Sequence, residues 1–294
     1  MWSDFLAFLV AAGLSTFEVN IEQFLAFLEY LIQNNTSAPS LANYVSAIRT
    51  HYVMYSWNTE FLRDQKIAML LKSVTINRPF EPKTVSILDV DILKQIVQIA
   101  SKLPYSETFV PLYLFAFFSF LRLSNMIPHS VASFDLTRNL ARGDIIFADD
   151  SAIIVVKWSK TLQDRKKTAT ISIPNLGNSE LCPINALLNM FQKIPGHKNS
   201  PLFLLKKKTC ITPLTDSVAR KHLKQVSQAL GLLPPLTFHC FRRAGATWAF
   251  QHGVPLEHIK LHGTWASDAV YAYLHASPVL SSPVCSAFRT ALHK

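Results

Sequence analysis

The 294-residue sequence is poor in cysteine and has no long uninterrupted hydrophobic run. None of its four cysteines forms a CxxC pair, so the spacing predicts neither a zinc site nor a disulfide framework and fits a reducing compartment. The longest apolar run, residues 109–121, is shorter than the ~20 residues that a membrane-spanning helix needs. Asp4 stands where a secretory signal peptide would carry basic residues, so we predict neither secretion nor a membrane partner.

Acidic residues are scarce after residue 80. Residues 1–80 hold five Lys/Arg and six Asp/Glu, a net charge of −1, whereas residues 81–294 hold 24 basic and 13 acidic residues, a net charge of +11. A basic excess confined to one part of a chain favours a polyanionic partner there, nucleic acid first. A solvated basic surface is the alternative that charge alone does not exclude. With 49% hydrophobic and 16% charged residues, the composition is that of a folded chain of one or two domains.

The hydrophobic spacing predicts two domains. Residues 1–76 show apolar positions at i, i+3 and i+4 in four segments, which predicts a helical bundle. Ser15 and Glu18 have the spacing of a capping box that could begin a helix, and Asn34-Asn35 is expected to end one. Residues 77–88 contain two prolines and no helical periodicity, so we expect a linker there and a second domain over 89–294.

The second domain is predicted to be helical apart from one small sheet. Short β-branched runs at 143–149, 151–160 and 167–174 indicate antiparallel strands, and helical spacing precedes and follows them. The expected fold class is therefore mainly α with a small antiparallel β-sheet (α+β).

Basic residues occur in three unusual settings. Arg122 ends the apolar run 109–121, where its charge is costly to desolvate unless it has a partner; a simple helix-end contact with the dipole is the alternative. Residues 158–167 look like a basic hairpin tip, although such tips are often ordinary solvated loops. The basic residues in or beside that tip are Lys157, Lys160, Arg165, Lys166 and Lys167.

The third setting is the segment TFHCFRRAGATWAF, residues 237–250. Thr237 can cap a helix whose first turns carry His239 and Arg242, three residues apart on one face. We expect both side chains to be exposed at the helix N-terminus, where amide donors, imidazole and guanidinium would suit a phosphate. A surface His and Arg without function is the alternative.

The segment GTWASDAVYAYL, residues 263–274, contains two tyrosines, Tyr271 and Tyr273. A phenol has a pKa near 10 and is a poor nucleophile at neutral pH unless cations or a base assist it. Core packing is the alternative for either ring. The residues that precede them and could assist are Arg122, Lys160, His239 and Arg242.

Taken together, an Arg at the end of a buried helix, a Lys in a β-hairpin, H-x-x-R, and G-x-W with a Tyr ten residues after the Gly resemble the tyrosine recombinase (phage integrase) family over roughly residues 80–276. The segments LRLSNM, WSKT and GTWASDA look most similar to recombinases of DIRS-type retroelements and Cryptons. The resemblance implies a core-DNA-binding (SAM-like) domain over 1–76 and a catalytic integrase domain with a C-terminal coupling helix over 89–294.

The resemblance also implies roles for individual residues. Tyr273, nine residues after Thr264, would be the nucleophile that forms a 3′-phosphotyrosyl link, and Tyr271 would pack or lie near DNA. Arg122 and Arg242 would bind the phosphate. His239 would move the proton of the tyrosine, and Lys160 would protonate the leaving 5′-oxygen, with Lys157 as the competing candidate inside the strand. Neither a metal nor a nucleotide cofactor is implied.

The implied partner is double-stranded DNA, on which four copies would assemble, and the look of the motifs suggests a mobile element acting in the nucleus. The residues expected to contact DNA are Lys157, Arg165, Lys166, Lys167, Arg243 and Trp265.

Two positions depart from the family pattern. Thr264 stands where His or Trp is usual, and Asn125 stands where an acid is usual. Three other functions therefore stay open. They are a domesticated DNA-binding protein that no longer cleaves, a type IB topoisomerase, and a helical interaction protein that does not bind DNA.

Overall fold

The computed structural model describes residues 1–77, 86–158, 168–265 and 270–271. The chain divides into two compact units, Met1–Lys83 and Thr84–Lys294. The boundary between them falls inside the predicted linker 77–88, most of which lies outside the described residues. No described helix has the length and apolar character needed to cross a membrane.

The first unit is a helical bundle with an aromatic core. Phe5, Phe24 and Phe27 are fully buried, and the hydroxyl of the buried Tyr52 donates a 2.8 Å hydrogen bond to the Thr16 carbonyl. Its helices are α1 (Trp2–Ala11), α2 (Ile21–Gln33), α3 (Ala38–Met54) and α4 (Gln65–Asn77).

One predicted helix start in this unit was wrong. The capping box lies at Asn20 and Gln23, where Asn20 Oδ1 accepts the Gln23 amide at 2.9 Å and Gln23 Oε1 accepts the Asn20 amide at 3.0 Å. Since this reciprocal pair satisfies both donors, α2 begins at Ile21 and not near Ser15. The prediction that Asn34-Asn35 ends a helix was confirmed, because α2 ends at Gln33.

The second unit combines helices with two small sheets. Its helices are α5 (Val90–Ala100), α6 (Ser106–Ser119), α7 (Leu123–Met126), α8 (Pro183–Lys193), α9 (Asp216–Ala229), α10 (Phe238–Gln251) and α11 (Leu256–His262). Its strands are β1 (Ile145–Phe147), β2 (Ser151–Val156), β3 (Ala169–Pro174), β4 (Leu204–Lys206) and β5 (Ile211–Pro213).

Strands β1, β2 and β3 form an antiparallel sheet in sequence order, with Ile154 opposite Ile145 on one side and Ile171 on the other. This confirms the expected fold class, mainly α with a small antiparallel sheet. The second sheet, β4 with β5, was not predicted. Its strands are only three residues long, and basic residues follow the first of them, so no alternating pattern marks them.

Helix α6 forms the centre of this unit. It is apolar on all sides, and buried side chains occupy nearly every position from Thr108 to Ser119. Phe120 then adopts a left-handed conformation (φ 53°) that ends the helix. Arg122 therefore lies beyond the helix end and directly before α7, which corrects the expectation that it terminates the apolar helix itself.

Candidate active site

Arg242 lies on α10 where that helix crosses α6. The two helices approach closely because Gly245 has no side chain, and a Cβ there would lie 2.2 Å from the Phe117 carbonyl oxygen. Arg242 is 1% exposed, which corrects the expectation of an exposed side chain. Its Nη1 donates a hydrogen bond to the Phe120 carbonyl, and its guanidinium carbon lies 3.7 Å from the centre of the Trp265 ring. The contacts hold a desolvated cation in one orientation.

Arg122 lies two residues after Phe120, the residue whose carbonyl accepts the hydrogen bond from Arg242. It is half-buried, and in the part of the chain that the structure describes its Nη1 is buried without a hydrogen-bond partner. An unsatisfied buried donor of a charged group costs free energy until an acceptor reaches it. Such a donor is suited to a phosphate oxygen.

Asn125 fixes the segment that carries Arg122. Its Nδ2 donates a 2.7 Å hydrogen bond to the Trp158 carbonyl, and its own amide donates to the Arg122 carbonyl at 2.9 Å. The side chain is 2% exposed. Asn125 therefore links the Arg122 turn to the end of β2 by hydrogen bonding alone, without the charge of an acid.

His239 lies three residues before Arg242 on α10, and the residue is exposed at the helix N-terminus. Desolvation by neighbouring atoms lowers the pKa of its imidazole, and the positive charges of Arg242, Arg122 and Arg243 lower it further. The neutral imidazole is therefore favoured at neutral pH, and it can accept a proton. Arg122 and Arg242, from two distant parts of the sequence, therefore both act on His239 through their charges, and the three residues are called the electrostatic cluster.

Lys157 is held by an ion pair. Its Nζ lies 2.7 Å from Asp144 Oδ2, and both side chains are partly buried. Strand β2 ends at Val156, so Lys157 lies just after the strand and not within it as predicted. The ion pair neutralises the charge that a phosphate contact would use.

Gly263, Thr264 and Trp265 form the turn after α11. The Trp265 ring packs directly on Gly263, where a Cβ would lie 1.7 Å from a ring carbon. Trp265 is 7% exposed and forms the surface under Arg242, so this ring has a packing contact in the structure. Thr264 is 9% exposed and has a left-handed backbone (φ 53°).

Several predicted site residues lie outside the described residues: Lys160, Arg165, Lys166, Lys167 and Tyr273. Of the neighbours of Tyr273, Val270 is fully buried and Tyr271 is 38% exposed. Arg243 is half-buried beside Arg242. Their proposed roles, and that of Trp265 toward DNA, stay predictions. Among the described residues there is no group of three His, Cys, Asp or Glu side chains placed to hold a metal ion.

Sequence reasoning missed His262, the last residue of α11. Its Nε2 lies 2.8 Å from the Phe118 carbonyl oxygen, and its ring contacts the Phe120 ring edge-to-face at 4.5 Å. The one signal in the sequence was a histidine directly before the turn glycine, which has no meaning without the position of α6.

No protein-family model matches the sequence, and no curated protein matches it. Solved structures do resemble it. The XerH site-specific recombinase, bound to palindromic difH substrate in a post-cleavage complex, has a TM-score of 0.63 at 15% identity, over 92% of this chain and 73% of that chain.

Two further structures resemble the chain. The Tn1549 transposon integrase, in complex with transposon right end DNA, has a TM-score of 0.65 at 14% identity, over 94% of this chain and 87% of that chain. A lambda integrase dimer bound to a COC′ core site has a TM-score of 0.54 at 17% identity, over 92% of this chain and 70% of that chain. This chain therefore has the fold of the tyrosine recombinases and integrases.

Proposed function

We propose that this protein is a site-specific DNA recombinase that cuts and rejoins strands through a 3′-phosphotyrosyl intermediate. The single observation that carries the proposal is the cluster of Arg122, His239 and Arg242, in a fold shared with recombinases solved on DNA. Two guanidinium groups whose charges act on a neutral imidazole match the needs of phosphoryl transfer.

The cleavage step is a displacement at phosphorus. The phenolic oxygen of Tyr273 forms a bond to the phosphorus atom while the bond from phosphorus to the 5′-oxygen breaks. The tyrosine proton passes to His239, and Lys160 gives a proton to the leaving 5′-oxygen. The phosphotyrosyl bond conserves the energy of the phosphodiester, so the reverse displacement by a 5′-hydroxyl rejoins a strand.

The arginines stabilise the charge that develops in this step. The pentavalent phosphorus carries additional negative charge on its non-bridging oxygens, and planar guanidinium groups can donate two hydrogen bonds each. Arg242 is already desolvated and oriented by Phe120 and Trp265, so it need not reorganise when the phosphate binds. Arg122 contributes a buried donor that a phosphate oxygen can satisfy.

The experiment is to trap the covalent intermediate. The full chain is incubated with a pool of nicked duplexes of random sequence, in which cleavage releases a short fragment and prevents rejoining. Wild-type protein should form a DNA adduct that survives denaturation, and Tyr273→Phe should form none. Sequencing of the attached DNA then identifies the site. Absence of any adduct, from a protein that binds the same duplexes, would contradict the proposal.

A DNA-binding protein that no longer cleaves is the second candidate, and Thr264 favours it. This residue stands at the position usually occupied by His or Trp, and its side chain is shorter than either. Such a protein would bind the duplex pool without adduct. Relaxation of supercoiled DNA by a monomer would instead indicate a type IB topoisomerase.

The proposal also covers how many copies of the protein assemble on DNA and where in the cell it acts. The expected active form is a homotetramer on two duplexes, which cross-linking on the selected site would measure. The action of a mobile element in the nucleus stays a prediction from the motifs.

A further inference from the structure

The turn that joins α6 to Arg122 is held from two sides. The Phe120 carbonyl accepts the hydrogen bond from Nη1 of Arg242. The Phe118 carbonyl oxygen lies 2.8 Å from Nε2 of His262. One short segment therefore contacts both residues and leads directly to Arg122.

We propose that His262 is a positioning residue that sets the placement of Arg242 and Arg122 by tethering this turn; the inference rests on the proposed recombinase function. In the proposed role, His262 does not contact the phosphate or the reacting atoms. It acts through the backbone of residues 118–122.

The hydrogen bond from His262 gives the C-terminal end of α6 a donor that the helix itself lacks. The last carbonyls of a helix have no partner within it, so they require other donors. Phe118 lies in the last turn of α6, and the imidazole of His262 supplies such a donor when Nε2 carries the proton. The ring of His262 also packs edge-to-face on Phe120, which restrains the left-handed residue itself.

The tether lies at the wall of a cavity. A mainly apolar cavity of about 580 Å³ lies against the same turn, and Phe118, Phe120, Gly245 and His262 are among the residues that line it. The hydrogen bond from His262 to Phe118 is therefore a polar contact at the wall of a mainly apolar cavity.

The protonation state of His262 suits this role. Desolvation lowers the pKa of its imidazole, and the hydrogen bond to the Phe118 carbonyl opposes the shift. The neutral form is therefore favoured at neutral pH. It donates to the carbonyl without bringing a further positive charge to the arginines.

Three variants separate the tether from simple packing. His262→Phe keeps a ring against Phe120 and removes the donor. His262→Gln removes the ring and keeps an amide donor at a similar reach. His258→Phe is the matched control, because His258 lies one turn earlier on α11, lines the same cavity and is exposed.

The first readout is single-turnover cleavage of the selected duplex together with its dissociation constant. We expect His262→Phe to cleave about tenfold or more slowly at an unchanged dissociation constant, because small misplacement of catalytic groups has effects of this size. His262→Gln should recover most of the rate, and His258→Phe should match wild type. Equal losses in the Phe and Gln variants, in step with their melting temperatures, would overturn the proposal in favour of packing alone.

The second readout needs no catalysis. The Nε–H resonances of Arg242 and Arg122 are recorded by ¹⁵N NMR in the full chain without DNA. His262→Phe should shift or broaden both, and His262→Gln should restore them. Unchanged resonances in His262→Phe would overturn the positioning role even if the wild-type protein proves unable to cleave, whereas an absent adduct with altered resonances would contradict only the recombinase function.

Discussion

The guanidinium carbon of Arg242 lies 3.7 Å from the centre of the Trp265 ring, in a site where Arg242 is 1% exposed. A planar cation fits this face and can still donate from its edges, whereas an ammonium group cannot do both. The contact joins the helix that carries His239 to the turn that leads toward Tyr273.

Replacement of Arg242 by lysine tests the role of its guanidinium group directly. We expect Arg242→Lys to reduce the single-turnover cleavage rate about 100-fold or more, the size of effect seen when one donor to a developing oxyanion is lost. Arg220→Lys is the control, because Arg220 is a largely exposed arginine paired with Asp216 on α9. A cleavage rate in Arg242→Lys within threefold of wild type would contradict the assignment.

The pKa of His239 is expected to lie below its ordinary value of 6.5, through desolvation and the charges of Arg242, Arg122 and Arg243. Cleavage should therefore persist at pH 6.5 and fall only at lower pH, as the imidazole gains its proton. Arg243→Gln removes one positive charge and should raise this pKa, and Arg220→Gln should leave it unchanged. NMR titration of the imidazole Cε1–H signal measures both; a wild-type pKa at or above 6.5 would refute the prediction.

A second histidine affects stability instead of chemistry. His222 is buried, its Nδ1 lies 2.6 Å from the Tyr113 hydroxyl, and its ring stacks on Phe109 at 3.6 Å. Desolvation lowers its pKa from 6.5 to about 4, and the Pro104 carbonyl opposes this shift.

Between pH 6.5 and pH 4 the unfolded chain binds a proton that the native chain does not, so the free energy of unfolding falls as pH falls, by about 3 kcal/mol in all. His222→Phe should flatten this part of the urea-unfolding profile, although it lowers stability at every pH by removing the partner of Tyr113. His258→Gln serves as control. A wild-type slope preserved in His222→Phe would show that other groups produce it.

Gly245→Ala should destabilise the protein, although alanine normally favours a helix over glycine by about 1 kcal/mol. The added Cβ would lie 2.2 Å from the Phe117 carbonyl oxygen and 2.5 Å from a ring carbon of Phe120. We expect a loss of about 1–3 kcal/mol in the free energy of unfolding, and a larger loss for Gly245→Ser. Thermal unfolding measures it, and any gain in stability would mean that α6 and α10 are farther apart.

A substrate with a leaving group that needs no proton distinguishes the roles of Lys157 and Lys160. A 5′-bridging sulfur leaves as a thiolate and needs no proton, so this substrate should restore cleavage by Lys160→Ala. Lys157→Ala should lower the free energy of unfolding by breaking the 2.7 Å ion pair with Asp144. The sulfur substrate should not restore any cleavage that this variant loses. If sulfur restored Lys157→Ala and not Lys160→Ala, the two assignments would be exchanged.

The local features around these residues could be predicted from the sequence. His239 and Arg242 are three residues apart on one helix, and α6 is marked by an apolar run. The burial of Arg242 could not be predicted, because it results from the crossing of α10 with α6 at Gly245, a contact between residues far apart in sequence. His262 was missed for the same reason, since its partner Phe118 is 144 residues away.

Errors in the predicted elements also have physical causes. Ser15 and Glu18 match the spacing of a capping box, but Asn20 and Gln23 form the real one five residues later. Spacing alone does not decide between two such pairs. The geometry depends on where the apolar face of α2 enters the core, and Phe24 and Phe27 fix that position.

Phe120 and Thr264 both hold left-handed backbone conformations, with φ of 53° at each. For residues with a side chain such conformations cost about 1–3 kcal/mol, and for the branched Thr264 the cost is toward the upper part of that range. Glycine at Phe120 would relax the backbone, but it would also remove a ring that is only 7% exposed, and the loss of such a buried ring costs more than the strain. The strain at the end of α6 is therefore maintained by the packing of the Phe120 ring, and we expect Phe120→Gly to melt at a lower temperature than wild type despite its relaxed backbone.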